Sequence, residues 1–307
     1  MEFSSIIESV ISLFFMILVG VYGAKKKIIT PQINKGLIDI LIQITLPFMI
    51  LSSFIFTYDD AIKSNAIKTF YYSFVAYIIM IIVSHLLLFP IKNDKKTVLH
   101  FANVFTNTGY VGFPILNSIY GTEGIVYGSI FNMFFVIFVW TYGIILYKGS
   151  FQKSELKKEL KKILLNPSII AVCVGVMIMI FNIQLPCAML LSIRSIGNIT
   201  GPLSMIIIGV IISDVNIKEY IKDWTIYYGV TTKLIFMPFI IYLISLLTVE
   251  PSKAVNTVII MTAMPASAMT SILAESFDKE KEYASIIVSV TTLFSLITVP
   301  MLLKIIL

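Results

Sequence analysis

The sequence predicts an all-α membrane protein of ten transmembrane helices, arranged as two inverted five-helix repeats. Three observations predict it. Apolar residues come in runs of about 20, enough for a helix to cross the hydrocarbon core. Lysines gather in alternate loops. Helix breakers recur at matched places in the two halves of the chain. Of 307 residues, 58% are hydrophobic and 13% are charged. Soluble domains average about 45–50% and about 25%. The alternation expected of a transmembrane β-barrel is absent.

The ten spans fall at roughly 5–24, 35–57, 67–89, 97–119, 123–147, 167–184, 187–213, 225–248, 252–275 and 281–304, bounded by charged or Gly/Pro-bearing turns. The N-terminal "MEFSSIIESVISLFF" carries acidic rather than basic residues before its apolar run. That is unlike a secretory signal peptide, so the first helix is expected to stay in the protein. The longest loop, "KGSFQKSELKKELKKILLN" from Lys148 to Asn166, is highly charged and predicts an amphipathic surface helix. The chain divides into a first repeat, 1–149, a cytoplasmic linker, 150–166, and a second repeat, 167–307.

With the N-terminus outside, seventeen lysines fall in inside loops, including Lys25, Lys26, Lys27 and Lys35, and the run from Lys148 to Lys162. Only Lys63, Lys68, Lys253 and Lys304 fall outside. This bias orients the protein in the plasma membrane with both termini outside. The formal charge of +6 reflects it and does not suggest nucleic acid. Cys173 and Cys187 have no ligand spacing and read as packing residues, with no disulfide and no metal.

The repeat shows in short motifs. "DILIQITLPFMI", Asp39 to Ile50, and "RSIGNITGPLSMI", Arg194 to Ile206, share Ile-Thr-x-Pro at Ile44–Pro47 and Ile199–Pro202, an offset of 155. The same offset, within two residues, lays span four over span nine. Span four contains "NVFTNTGYVGFPIL", with two Asn, two Gly and a Pro; span nine, "VIIMTAMPASAMTSILAES", contains Pro265 amid small residues. Five spans per half is an odd number, so the second half enters the membrane upside down. Paired interrupted helices in an inverted repeat are the architecture of secondary transporters.

These residues resemble the auxin efflux carrier family. "NTGYVGFPILNSIYGTEG" is similar to the family's fourth-helix signature. "AMPASAMTSILAESF" and "SIIVSVTTLFSLITVPM" are similar to its ninth and tenth helices. The core of the ninth is Met264, Pro265, Ala266 and Ser267, with Ser where the family has a final Ala. The resemblance covers essentially the whole chain. Because the long central loop of plant members is missing, it is to the compact prokaryotic type. It implies that helices four and nine cross near the midplane, as in bile-acid symporters and sodium/proton antiporters. It also implies a carrier of small organic anions: auxin in plants, malate or malonate in prokaryotes. The Asn of the fourth-helix motif, here Asn107, is implied to contact substrate.

A break in a membrane helix leaves backbone groups that lipid cannot satisfy. Its half-helix N-terminus offers free N–H groups and a positive dipole end, which suit a carboxylate. The candidate substrate site is therefore Asn107, Thr108, Gly109, Gly112 and Pro114 from span four with Met264, Pro265, Ala266 and Ser267 from span nine. Pro114 and Pro265 are expected to hold the breaks open. Gly109 and Gly112 supply φ freedom and close approach. Lys233 lies about nine residues into span eight, ~13 Å deep at 1.5 Å per residue. It reads as an anion attractor or gating charge, or as a snorkelling side chain.

Asp39 and Arg194 stand at matched repeat positions and read as interfacial anchors, with Arg194 also placed to guide anions at the outer mouth. His85 and His100 flank an inside loop and read as interfacial. Asn103, Asn132 and Asn256 are expected to bond between helices. Glu123 and Glu275 fall at span ends, so no carboxylate is expected beside a break. That disfavours a dedicated proton carboxylate or strong sodium site. Uniport driven by membrane potential, and coupling through Lys233 or a histidine, both stay open.

The alternatives are an ion-coupled symporter of another organic solute, a channel or sensor, and an intramembrane enzyme. A channel or sensor predicts a repeated pore motif or a soluble domain, and the sequence has neither. An enzyme predicts a catalytic pair or a motif such as H-E-x-x-H, also missing. No cofactor is implied. The expected partners are a small organic anion and the lipid bilayer, with a homodimer open.

Overall fold

Polar caps and prolines punctuate the apolar runs, and helices start where they stand. Thr30 accepts a hydrogen bond from the Ile33 N–H, and Pro31 opens the next helix. Asn166 accepts from the Ser168 and Ile169 N–H groups, followed by Pro167. Ser252 caps through the Val255 N–H, and Asp223 through the Thr225 N–H. Each pairs a donor that the first helical turn cannot satisfy with a short side-chain oxygen.

The structure, a computed structural model, describes residues 3–55, 60–91, 94–149, 161, 164–181, 183–213, 222–248 and 251–306. The described residues form fifteen α-helices. They are α1 (Phe3–Lys25), α2 (Pro31–Ile40), α3 (Leu46–Ser53), α4 (Asp60–Leu87), α5 (Asp94–Val104), α6 (Phe113–Phe138), α7 (Ile144–Lys148), α8 (Pro167–Ile180), α9 (Cys187–Asn198), α10 (Thr200–Ser213), α11 (Trp224–Thr231), α12 (Met237–Thr248), α13 (Lys253–Thr262), α14 (Met269–Ser276) and α15 (Lys281–Ile306). No strand occurs among them; one isolated antiparallel bridge joins Thr106 and Ala266. Most of the predicted surface helix after Lys148 lies outside the described residues.

Among the described residues, six helices are long and apolar enough to cross a membrane: Pro31–Ser53, Ile62–Leu87, Thr108–Lys148, Cys187–Ile211, Trp224–Leu247 and Lys281–Ile306. The third is 41 residues long, about twice what a bilayer needs. It does not run straight. Gly121 sits inside it at φ 59° and ψ −139°, a conformation open to glycine and costly for other residues. The chain turns there, between the predicted spans four and five.

Three of the spans widen into a π-helical turn: Leu41–Thr45, Thr108–Gly112 and Thr232–Phe236. Each ends two residues before a proline, at Pro47, Pro114 and Pro238. A proline cannot donate to the carbonyl four residues back, and its ring crowds that carbonyl. The wider turn relieves both. The N–H groups of Leu46, Phe113 and Met237 bond instead to the carbonyls five residues back, those of Leu41, Thr108 and Thr232. A fourth π turn, Val139–Gly143, has no such proline.

Loops meet in two sets. Lys95 pairs with Asp223 at 2.7 Å and Lys279 with Asp94 at 3.4 Å. Lys253 pairs with Glu123 at 2.6 Å. The first set joins loops that the lysine bias puts inside, and the second joins loops it puts outside. Burial makes Asp223 harder to ionise. The hydrogen bond from Lys95 and those from the Thr225 hydroxyl and N–H outweigh this, so its pKa lies below the ordinary carboxylate value.

Between the faces the core is aromatic. Tyr77 stacks on Phe138 at 5.1 Å and lies 5.0 Å from Phe131, while Phe101 packs on Phe105 at 4.2 Å. Buried hydroxyls such as Ser129, Ser204 and Thr292 bond back to the carbonyl four residues earlier. This satisfies each hydroxyl within its own helix. Ile67, Leu247 and Ile297 stand exposed on the helices, as lipid contact requires. Helices α1 and α10 touch backbone to backbone. A Cβ on Gly20 would collide with the Ile206 carbonyl, and one on Gly209 with the Ile17 carbonyl.

Candidate functional site: two helix breaks sharing one cavity

Helix α5 ends at Val104, and Phe105 to Asn107 leave the helix. Asn107 restarts it: its side-chain oxygen accepts from the Tyr110 N–H at 3.1 Å. Helix α13 ends at Thr262. Its break runs through Pro265 to Ser267, whose hydroxyl oxygen accepts from the Met269 N–H at 3.2 Å, where α14 begins. Each break therefore ends in a capped helix start.

The breaks lie against each other as two short extended segments. Beside the Thr106–Ala266 bridge, the Asn107 N–H donates to the Pro265 carbonyl at 2.7 Å and the Ser267 N–H to the Phe105 carbonyl at 3.0 Å. The Ala266 N–H donates to the Thr291 hydroxyl oxygen of α15 at 3.2 Å. Backbone groups freed by the breaks thus satisfy one another, the condition for irregular backbone at membrane depth.

Both helix starts face one cavity of about 230 Å³. Asn107, Thr108, Gly109 and Tyr110 line it from the first break, and Ser267, Ala268 and Met269 from the second. Asn132 and Trp140 add to its wall, and Thr108 donates to the Asn132 side-chain oxygen at 2.7 Å. Among the described lining residues there is no Lys, Arg, Asp or Glu. The two helix starts turn the positive ends of their dipoles toward it.

The structure brings together Asn107, Thr108, Gly109 and Ser267 at that cavity and sorts the remaining predicted site residues elsewhere. Met264 and Ala266 are wholly buried at the pairing, with Pro265 supplying its carbonyl. Gly112 contributes close approach and not φ freedom: a Cβ there would lie 2.6 Å from the Met261 sulfur, and the positive-φ glycines are Gly121 and Gly149. Gly109 does not use φ freedom either. Pro114 does not hold the break open. It sits in the first turn of α6, past the restart, where it forces the π turn.

Lys233 neither snorkels nor lines the cavity. It is 0% exposed, and its ammonium donates to the Asn103 carbonyl at 3.1 Å. The wide π turn of Thr232–Phe236 aims both Thr232 and Lys233 at Asn103.

Pro114 lines a second cavity, of about 520 Å³, together with Ser52, Asn117, Asn198 and Arg194. Arg194 is exposed and reaches the Ile55 carbonyl at 3.4 Å. His100 is buried within the protein, 3% exposed, with Nε2 2.6 Å from the Tyr142 hydroxyl. His85 is exposed. Cys173 and Cys187 are free and exposed, not packed. Asn103 makes the expected interhelical bonds, to Ser84 and from Thr232. No group of metal-ligating side chains occurs among the described residues. Thr291, Tyr110 and Trp140 were not legible as site residues. Thr291 offers only a hydroxyl in an apolar run, and the aromatics read as core.

The comparisons agree in kind. The model of a family described as membrane transport protein matches residues 5–303. An uncharacterized transporter of Methanocaldococcus jannaschii is 24% identical over 309 residues, covering 95% of this chain and 96% of its own. An uncharacterized transporter of Methanothermobacter thermautotrophicus is 23% identical over 215 residues, covering 69% of this chain and 68% of its own.

Proposed function

We propose a function for a chain that belongs to the auxin efflux carrier family of membrane transporters: it carries small organic anions, carboxylates such as malate, malonate or auxin-like acids, by alternating access. The reading takes ten transmembrane helices in two inverted repeats, 1–149 and 167–307, with spans four and nine crossing where the breaks meet. It sets the protein in the plasma membrane with both termini outside and needs no cofactor. It does not require a homodimer.

One observation carries it: two capped helix starts, at Asn107 and Ser267, open on a single cavity without an acidic wall. A carboxylate there meets positive dipole ends from both sides and displaces no fixed counter-charge. Asn107 adds a side-chain amide that both donates and accepts. The second cavity lies further along α6, lined by Pro114 and Asn117. Two cavities reached from one helix, at its restart and further along it, suit a substrate that leaves by the way it did not enter.

The test is uptake of mono- and dicarboxylates into proteoliposomes of the purified protein, with sodium and pH varied. Saturable uptake that competing carboxylates inhibit supports the reading. Conductance without saturation would instead favour a channel.

A further inference from the structure

A broken helix has two kinds of end. The restarts at Asn107 and Ser267 draw anions, whereas the stop at Val104 presents carbonyls and draws cations. In carriers with interrupted helices, such carbonyl ends hold the coupling ion. In this protein a side chain already stands there. In an unbroken helix the Asn103 carbonyl would accept from the Asn107 N–H, but that N–H goes to Pro265. The Lys233 ammonium takes its place at 3.1 Å, on a side chain with 0% exposure.

The surroundings hold it there. Asn103 donates to Ser84 at 3.2 Å, and Thr232 donates to the Asn103 side-chain oxygen at 3.2 Å. One residue thus joins α4, α5 and the π turn that carries Lys233. No carboxylate lies within 4.0 Å of the ammonium among the described residues. The partner of this cation is the carbonyl end of α5.

We infer that the Lys233 ammonium is a resident counter-cation: it fills the cation site made by the end of α5, so anion transport runs without a coupling sodium ion. The inference rests on the carrier reading above. It explains why a lysine is buried behind the anion cavity and not in it. In that place it offsets the negative helix end without forming an ion pair that would trap the substrate.

Two measurements test it. The first needs no substrate. Thermal unfolding midpoints of the wild-type protein and of Lys233→Ala are compared in choline, sodium and ammonium chloride at equal ionic strength. The expected wild-type midpoint is the same in all three. The expected variant midpoint rises saturably with sodium or ammonium, which enter the vacated place. A saturable rise for the wild type overturns the inference, as does a folded variant indifferent to both ions. If Lys233→Ala does not fold, Lys233→Ser, which also vacates the place, is used instead, and a saturable rise for the wild type still overturns the inference. The second is carboxylate uptake with sodium replaced by choline. An unchanged initial rate supports the inference, and a tenfold or greater loss overturns it. If no carboxylate is carried in either salt, the carrier reading fails, while the unfolding arm still reads the cation site.

Discussion

The two helix breaks solve one problem with different residues. The first restarts on an Asn cap, passes through a π turn, and has a buried lysine at its carbonyl end. The second contains its proline, restarts on a Ser cap, and is braced by the Thr291 hydroxyl on an N–H. What they share is backbone: each lends the other a carbonyl and an N–H. What they do not share is charge and a spare amide. The likeness between the two breaks therefore lies in the path of the chain, while the amide and the nearby charge are concentrated at the first break.

The largest expected effect tests that concentration. Asn107→Ala is expected to cut transport by ~10-fold or more, the worth of a hydrogen bond to a charged group, with the fold kept. Ser267→Ala removes only a cap, and uptake assays on the pair should show the smaller loss there. Equal losses would break the asymmetry. Thr291→Val strands the Ala266 N–H and should cost about 1–3 kcal/mol, read as a lower unfolding midpoint.

Pro114→Ala restores an N–H four residues after Tyr110 and allows an ordinary α turn. Rotation of Asn107 and Thr108 against α6 should then slow uptake several-fold on the order of 1 kcal/mol, while the midpoint holds or rises. A variant with unchanged uptake would show that the π turn has no part in placing the cap. The smallest effect is far from both breaks. Asp223→Asn removes the ion pair to Lys95, worth ~1 kcal/mol or less. The folded carboxyl titrates below its ordinary value of 3.8. Its contribution is therefore present above that value and is lost as pH falls through the lower, folded one. The gap between wild-type and variant midpoints should close in acid.

How far the site was legible depends on the range of each interaction. Asn107 could be read because a cap announces itself locally, as a short polar side chain before a restart. The π turns were half legible: the prolines at Pro47, Pro114 and Pro238 are visible, but the wider turn before each is a backbone response that no residue type spells. Lys233 was legible as an anomaly of depth. Its partner was not, because the Asn103 carbonyl is free only through a hydrogen bond between residues far apart in sequence. The burial of His100 was not legible, because it lies beside a loop in sequence whereas the packing around α5 closes over it. Among the described residues six helices met the length and apolarity of a span; the predicted spans one, six and nine are represented there by shorter apolar segments, Phe15–Lys25, Pro167–Ile178 and Lys253–Thr262.

The paired segments at Thr106 and Ala266 have a mechanical consequence. Their two flanking hydrogen bonds run across the direction of the chains. Sliding one break along the other must rupture both bonds at once and strand two buried donors. Swinging one side of the molecule about the pair ruptures neither. The contact resists shear and yields to rotation, as an axle does. A turn of the flanking helices about the pair leaves both bonds in place, which is what the proposed alternating access requires of it.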